Sequence, residues 1–348
     1  MAVRRDAGLA GRGNTAAIVC AILASMVAAS ADAAVRDQIL VVGSSTVYPF
    51  SSVVAERFSK SGPFRMPSLL SNSTAEGFQQ FCAGVGADTP DISNASRRMS
   101  SGERADCAAN GVRRIAEIRI GYDSLIVGRR LGAPNLDISL EQLWRAIAKS
   151  VPVNGAFVPN PYRKWRDIAP GLPDLPIKIF GPAPGHGTRD ALVALVMEPS
   201  CLDNAVSKML RPDERQIVCD SVREDGPWTD SENLELILGT LATHPDAMGI
   251  LTYSYLEQFP NRIQAATLQG VAPSRSTIPS GGYPVSRPLY IYVKEEHLRT
   301  TAGLGDYVAE FLSSCAAGSN GYLLDEGLVP LPMPELTRQR AIAARLIQ

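Results

Sequence analysis

The chain has 348 residues, 45% of them apolar and 20% charged. That length fits one large or two ordinary domains, and that apolar share supports a packed core rather than a disordered chain. Lys plus Arg number 34 against 35 Asp plus Glu, a net charge of −1; this argues against a nucleic-acid partner, which calls for a strongly basic face, but leaves room for a small anion held in one pocket.

Residues 1–33 read as a secretory signal peptide. Arg4, Arg5 and Arg12 make a basic start, Thr15 to Ala29 is apolar, and Ala31-Asp32-Ala33 is a small-x-small cleavage pattern. The apolar stretch is shorter than the roughly 20 residues of a spanning helix, and Cys20, preceded by Val19, makes a poor lipoprotein site. Free secretion into an oxidising compartment, the periplasm, is expected. Beyond Cys20 the cysteines are Cys82, Cys107, Cys201, Cys219 and Cys315. Proximity in sequence pairs Cys82 with Cys107 and Cys201 with Cys219, leaving Cys315 over. The chain contains no Cys-x-x-Cys, so neither a zinc ribbon nor a thioredoxin-type redox site is supported.

In chain order, Ile39-Leu-Val-Val42 reads as a strand and Gly43 to Tyr48 as a turn; Pro49 then suits a helix start, with Val53, Val54 and Phe58 at helical spacing. Gly77 to Cys82 reads as helix, Ile115 to Val127 as strand and Leu140 to Ala148 as helix. Val151–Pro161, Pro170–Pro176 and Pro273–Pro288 read as loops rich in Pro and Gly, the first of them on the surface. Ile177-Lys-Ile-Phe180 is a strand, Thr188 opens a helix, Glu232 to Leu241 is a helix, and Gly249-Ile-Leu-Thr-Tyr is a short strand. Leu289 to Val293 is a strand and Leu304 to Leu312 a helix. Alternating short strands and helices are the α/β signature. The segments near Gly121–Asp123 and Val285–Arg287 are candidate crossings between lobes. The end after Pro334 is polar and basic, and reads either as a short helix or as disordered.

Four places share one design, a strand end, a hydroxyl-rich turn and a helix-like start: Gly43-Ser44-Ser45-Thr46-Val47, Ser71-Asn72-Ser73-Thr74, Asn94-Ala95-Ser96-Arg97-Arg98, and Gly185-His186-Gly187-Thr188-Arg189-Asp190. A helix start exposes unpaired amides and about half a positive charge. Ser and Thr add donors, and Arg offers a planar fork matched to an oxyanion. Each turn alone is satisfied by an N-cap contributing ~1 kcal/mol; four of them, two with Arg, point toward an anion. The histidines, His186, His244 and His297, do not have metal-site spacing. The chain lacks a Gly-x-Ser-x-Gly elbow, and Gly43-Ser-Ser-Thr lacks the lysine of a P-loop. Trp144, Trp165 and Trp228 read as structural.

At these same turns the chain resembles the phosphate-binding proteins of high-affinity phosphate ABC transporters. The stretches that carry the likeness, between about Ile39 and Pro332, are Gly43-Ser-Ser-Thr-Val-Tyr-Pro49, Phe81 to Ile92, Asn94-Ala-Ser-Arg-Arg98, Gly187-Thr-Arg-Asp190, Arg223-Glu-Asp-Gly226, Met248 to Leu256, and Tyr283-Pro-Val-Ser-Arg-Pro-Leu-Tyr290. The resemblance implies an α/β, type II periplasmic binding fold of two lobes joined by a two-segment hinge. Residues 34–121 and 286–334 would form lobe one, 122–285 lobe two, and 335–348 a tail. It implies that Ser45, Thr46 and the Val47 amide hold phosphate from the first turn, Thr74 from the second, Ser96 and Arg97 from the third, and Gly187, Thr188 and Arg189 from the fourth. Asp190 is the first-ranked acceptor for the proton of monohydrogen phosphate. It further implies a monomer without cofactor that docks on a transmembrane permease and is not an enzyme.

Two departures stand out. Relatives commonly carry Gly-Thr-Gly-Gly-Gly where this chain reads Ser73-Thr-Ala-Glu-Gly77, and Ser where it has His186. Glu76 adds a negative charge, and His186 replaces a hydroxyl with an imidazole. These bring in a rival ligand, another oxyanion such as sulfate, phosphite or arsenate. A secreted phosphate-ester hydrolase and a fold that has lost its site are the further alternatives.

Overall fold

A computed structural model describes residues 36–231 and 233–347; the signal peptide expected at 1–33 lies outside the described residues. The chain opens as β1 (Leu40–Ser44), α1 (Tyr48–Ser61), β2 (Ser68–Asn72), α2 (Thr74–Phe81), β3 (Ile92–Ala95), α3 (Ser101–Ala109) and the long β4 (Ile115–Arg130). It continues as β5 (Asp137–Ile138), α4 (Leu140–Ile147), β6 (Ser150–Val153), β7 (Ala156–Pro159), α5 (Trp165–Ile168), β8 (Ile179–Pro182), α6 (Gly187–Leu192), α7 (Glu198–Leu202) and α8 (Pro212–Asp220). Then come β9 (Trp228–Ser231), α9 (Leu234–Thr243), β10 (Met248–Thr252), α10 (Tyr253–Gln258), β11 (Ile263–Ala265) and β12 (Thr267–Leu268). The described chain closes with β13 (Ser286–Lys294), α11 (Leu304–Phe311), α12 (Ser314–Ala317) and α13 (Met333–Ala344).

The main sheet runs β2-β1-β3-β13-β4-β10-β8-β9, with β11 also on β4. β1 is parallel to β2 and β3, and β8 is parallel to β9 and β10, as short strands linked by helices require. β4 belongs to both ends of this sheet. Its first part pairs antiparallel with β13 as far as Ser124, and from Leu125 to Arg129 it pairs with β10 instead. The architecture is α/β with a curled mixed sheet.

Local chemistry explains the elements nearest the cleft. α1 buries Phe50, Val54, Ala55 and Phe58, a stripe on one helix face; Phe58 meets Tyr307 edge-on at 5.5 Å. α2 is capped reciprocally, Ser73 Oγ accepting from the Glu76 amide while the Glu76 carboxylate accepts from the Ser73 amide. Its Gly77 lets α2 lie on β1, because a methyl there would stand 2.5 Å from Gly43 Cα. Gly43 itself has φ +109°, a conformation closed to other residues at low cost. Asp91, fully buried, accepts from Arg36, from the Leu40 amide at 2.7 Å, from His297 Nδ1 at 2.7 Å and from Thr301 Oγ1 at 2.9 Å, the satisfaction that a buried carboxylate needs.

Both expected disulfides are present. Cys82–Cys107 ties α2 to α3 and Cys201–Cys219 ties α7 to α8, while Cys315 is free and exposed. Closing loops of these lengths contributes roughly 3 kcal/mol each. Trp144, Trp165 and Trp228 are buried. Arg223 of the Arg223–Gly226 stretch is buried too, bound to Asp225 and to the carbonyls of Ala146 and Tyr162, so that stretch serves packing.

Several expectations need correction. Val151–Pro161 is the β6–β7 hairpin, turning at Asn154 and Gly155, both at positive φ. Of the two readings of the residues after Pro334, the helix is the one observed: α13 packs on β4 and α11 with Leu336 and Ala343 buried, and Leu346 just beyond it is buried too. Arg119 clamps it, pairing with Glu335 at 2.8 Å and donating its amide to Gln339. The Asn94–Arg98 turn does not open a helix, since α3 starts only at Ser101, capped by Ser100. Among the described residues no helix is long and apolar enough to cross a membrane.

A candidate anion-binding cleft

A cavity of about 670 Å³ lies where four helices begin. Its walls include Ser45, Thr46, Tyr48 and Pro49 at the start of α1, and His186, Gly187 and Thr188 at the start of α6. Asn233 and Leu234 at the start of α9 and Thr252 and Ser254 at the start of α10 complete this side. α6 continues through a wider-wound stretch, Val193–Met197, into α7, so its dipole is that of one longer helix. Many of the first amides are used within their own turns: at α6 Thr188 donates to His186 Nδ1 and Arg189 and Asp190 donate to His186 O, and at α9 Glu235 donates to Asn233 Oδ1, so these ends bring chiefly partial positive charge to the cavity.

The first turn follows β1 directly. Ser45 donates its amide to Asn72 O and Val47 to Ser44 O, which folds the loop tightly against β2. The Val47 amide donates within the turn itself, and its side chain is fully buried. Thr46 Oγ1 accepts from Arg287 Nη2 at 2.9 Å, leaving its own proton to donate. Ser45 Oγ donates to Asp190 Oδ2 at 2.9 Å.

The fourth turn faces the first at close quarters. A methyl on Gly187 would stand 3.4 Å from Ser45 O and from Thr46 Cα. His186 is the N-cap of α6, its Nδ1 accepting from the Thr188 amide at 3.1 Å. An acceptor nitrogen carries no proton, so the ring hydrogen sits on Nε2. Burial holds the imidazolium below the ordinary histidine range, against a smaller upward pull from Asp190. His186 thus performs the capping task that a Ser would perform, and keeps an N–H donor in the cavity wall.

The other sequence candidates sit outside the cavity lining. Thr74 Oγ1 and Ser96 Oγ lie 3.1 Å apart and Thr74 accepts the Ser96 amide. Arg97 grips Glu103 with two bonds of 2.7 and 2.9 Å and stays half exposed. This fork holds the Glu103 carboxyl down at about 2, helped by the Ser100 cap. Glu76 is occupied in capping α2. Arg189 is drawn to Asp230 and to Pro182 O, both at 3.0 Å, with its guanidinium 5.0 Å from the Trp228 ring. The structure therefore gathers Ser45, Thr46, His186, Gly187 and Thr188 around one space, with Asp190 at its edge, and sets Thr74, Ser96, Arg97, Glu76 and Arg189 apart from it.

Asp123, Asp325, Glu326 and Glu235 also line the cavity, and sequence reasoning did not single them out. Burial, then the neighbouring Asp325, raises the Glu326 carboxyl. Two signals were available in the sequence: Asn233 before Leu-Glu-Leu-Ile is an N-cap pattern, and Thr252-Tyr-Ser follows a strand just as Gly43-Ser-Ser-Thr does.

Residues 28–314 match the family described as the PBP superfamily domain. The chain belongs to the PBP superfamily. Among curated proteins it is 25% identical to Protein SphX of Synechococcus elongatus over 325 residues, covering 92% of this chain and 85% of that one. It is also 25% identical to the phosphate-binding protein PstS of Staphylococcus saprophyticus over 305 residues, covering 86% and 82%. Among solved structures, one described as a possible phosphate binding protein from Planctomyces limnophilus superposes with a TM-score of 0.68 at 25% identity, covering 90% of this chain and 100% of that one. An ABC-type phosphate transport receptor from Vibrio cholerae shares the fold at 17% identity, with a TM-score of 0.54 over 79% of this chain and 94% of that one. The type II periplasmic binding fold expected for this PBP superfamily member is thus the fold it has.

Proposed function

We propose that this chain captures inorganic phosphate in the cleft and hands it to the permease of an ABC transporter, without a catalytic step of its own. The observation that carries this reading is the convergence of the α1, α6, α9 and α10 starts on one cavity, with the Thr46 and Thr188 hydroxyls and the His186 Nε2–H among them. A dianion leaving water must find many donors at once, and amides, hydroxyls and helix dipoles supply them without a matching excess of fixed cations. The names carried by the PstS and SphX relatives support phosphate as the anion.

The lobes follow the strand exchange. In this reading the β1–β3 half with β13 is lobe one, the β8–β10 half is lobe two, and the hinge runs where β4 leaves β13 for β10 at Ser124–Leu125 and where β13 begins at Ser286. Thr46 comes from one half and Thr188 from the other, so hinge closure would complete the donor set. Export through the signal peptide places the protein in the periplasm as a monomer, in keeping with its two disulfides. Equilibrium dialysis of the mature protein against labelled phosphate tests the reading. Saturation at one phosphate per chain, not displaced by sulfate, is expected; a flat isotherm overturns it.

A further inference from the structure

A fixed cation close to a bound dianion adds to what hydroxyls and helix dipoles supply, and the two arginines that the sequence offers are engaged elsewhere. Arg97 closes a two-bond fork on Glu103, and Arg189 is held by Asp230, Pro182 O and the Trp228 face. The cavity lining itself carries carboxylates and no Lys or Arg among the described residues. Arg287 is different. Its side chain is only 11% exposed, and Nη2 donates to Thr46 Oγ1 at 2.9 Å. Its partner Asp123, 8% exposed, is reached only loosely: Nε and Nη2 both lie 3.4 Å from the same oxygen, Oδ2. The Arg97–Glu103 fork, by contrast, closes to 2.7 and 2.9 Å on two oxygens, and Arg189 adds to its Asp230 bond a bond to Pro182 O.

The position of this pair matters as much as its looseness. Arg287 and Asp123 are register partners on β13 and β4, one step before β4 changes partner from β13 to β10. Thr46 and Asp123 both line the cavity. One guanidinium therefore touches the anion-binding turn, a cleft carboxylate and the two crossing strands together.

We propose that Arg287 is the cation that neutralises the bound anion, and that Asp123 holds it in reserve while the site is empty. This rests on the phosphate reading above and deepens it. On binding, the guanidinium turns its free donors from Asp123 to the anion beside Thr46. Because the exchange happens on the two crossing strands, occupancy of the site and the angle between the two halves of the sheet are read by the same side chain. The fork, not charge alone, does this, since Lys offers a point charge without the planar donor pair.

The test is isothermal titration of mature wild type, Arg287→Met, Arg287→Lys and Asp123→Asn with phosphate and with sulfate, alongside ligand-free thermal unfolding and small-angle scattering with and without phosphate. Arg287→Met is expected to lose at least about 100-fold in phosphate affinity and to lose the phosphate-induced fall in radius of gyration, and Arg287→Lys to recover only part of the affinity. Asp123→Asn, which no longer competes for the guanidinium, is expected to bind sulfate at least tenfold tighter than wild type. Should Arg287→Met misfold, the Asp123→Asn sulfate gain still decides. Wild type that binds phosphate while Arg287→Met, folded, binds it within about threefold overturns this proposal alone, as does an unchanged sulfate affinity in Asp123→Asn. Wild type that binds no phosphate overturns this proposal and the phosphate reading together.

Discussion

Ser45 Oγ donates to Asp190 Oδ2 across 2.9 Å, although 145 residues separate them in sequence. The bond joins the turn after β1 to the first turn of α6 and uses the one proton of the Ser45 hydroxyl. The hydroxyl that the first turn can offer an anion is then that of Thr46, whose oxygen already accepts from Arg287. Thr46→Val is accordingly expected to cost ten- to a hundredfold in phosphate affinity, about 1.4–2.8 kcal/mol, and Ser45→Ala less than fivefold. Titration calorimetry on both variants checks this; a larger loss in Ser45→Ala contradicts it.

Arg97 bears on which turns form the site. Its guanidinium is engaged with Glu103 and its side chain is half exposed, away from the cavity lining. Arg97→Ala should leave phosphate affinity within about twofold of wild type and lower stability by under about 1 kcal/mol, the range of exposed ion pairs. Urea denaturation and titration of one preparation measure both. A hundredfold loss of affinity would return the third turn to the site.

His186 makes the start of α6 sensitive to acid. Burial favours its neutral ring in the folded chain, so below the ordinary histidine value of 6.5 the unfolded chain binds more protons than the folded one. The cap bond to the Thr188 amide is present above 6.5; stability starts to fall as pH drops below 6.5, and the loss is complete below the depressed folded value. His186→Asn, which caps without titrating, should lose less stability than wild type between pH 7 and pH 5, and His186→Ala should be about 1 kcal/mol less stable than wild type at pH 7.5. Equal pH slopes in wild type and His186→Asn would refute this assignment.

Gly77 sets how closely α2 lies on β1. A methyl there meets Gly43 Cα at 2.5 Å and Ser93 Oγ at 3.0 Å, with backbone as the nearer obstacle. Gly77→Ala should destabilise by about 1–3 kcal/mol, read as a lower urea midpoint at unchanged slope. No change in midpoint would mean that α2 shifts freely.

Much of this was legible from sequence, and the reasons divide cleanly. The strand–turn–helix rhythm, the helix of Phe50 to Phe58 and both disulfides follow from local pattern and proximity. The four turns were visible as turns, because capping chemistry is local. Which of them share a space was not, because that depends on pairings far apart in sequence, such as β13 with β4. Arg97 illustrates the limit: in sequence it reads as an anion ligand, while its partner is Glu103, six residues away, which also accepts from the Ser100 amide. The Val151–Pro161 hairpin was hidden by its three prolines, Pro152, Pro159 and Pro161. The polar composition after Pro334 left helix and disorder both open, and the few apolar residues that α13 buries decide for the helix.

The most direct measurement is isothermal titration of the dialysed mature protein with phosphate, with sulfate in parallel. The account predicts one-to-one phosphate binding at micromolar concentration or below, of roughly −8 kcal/mol or stronger, with sulfate at least a hundredfold weaker. Absence of phosphate heat, together with no rise in the unfolding temperature at millimolar phosphate, would contradict it.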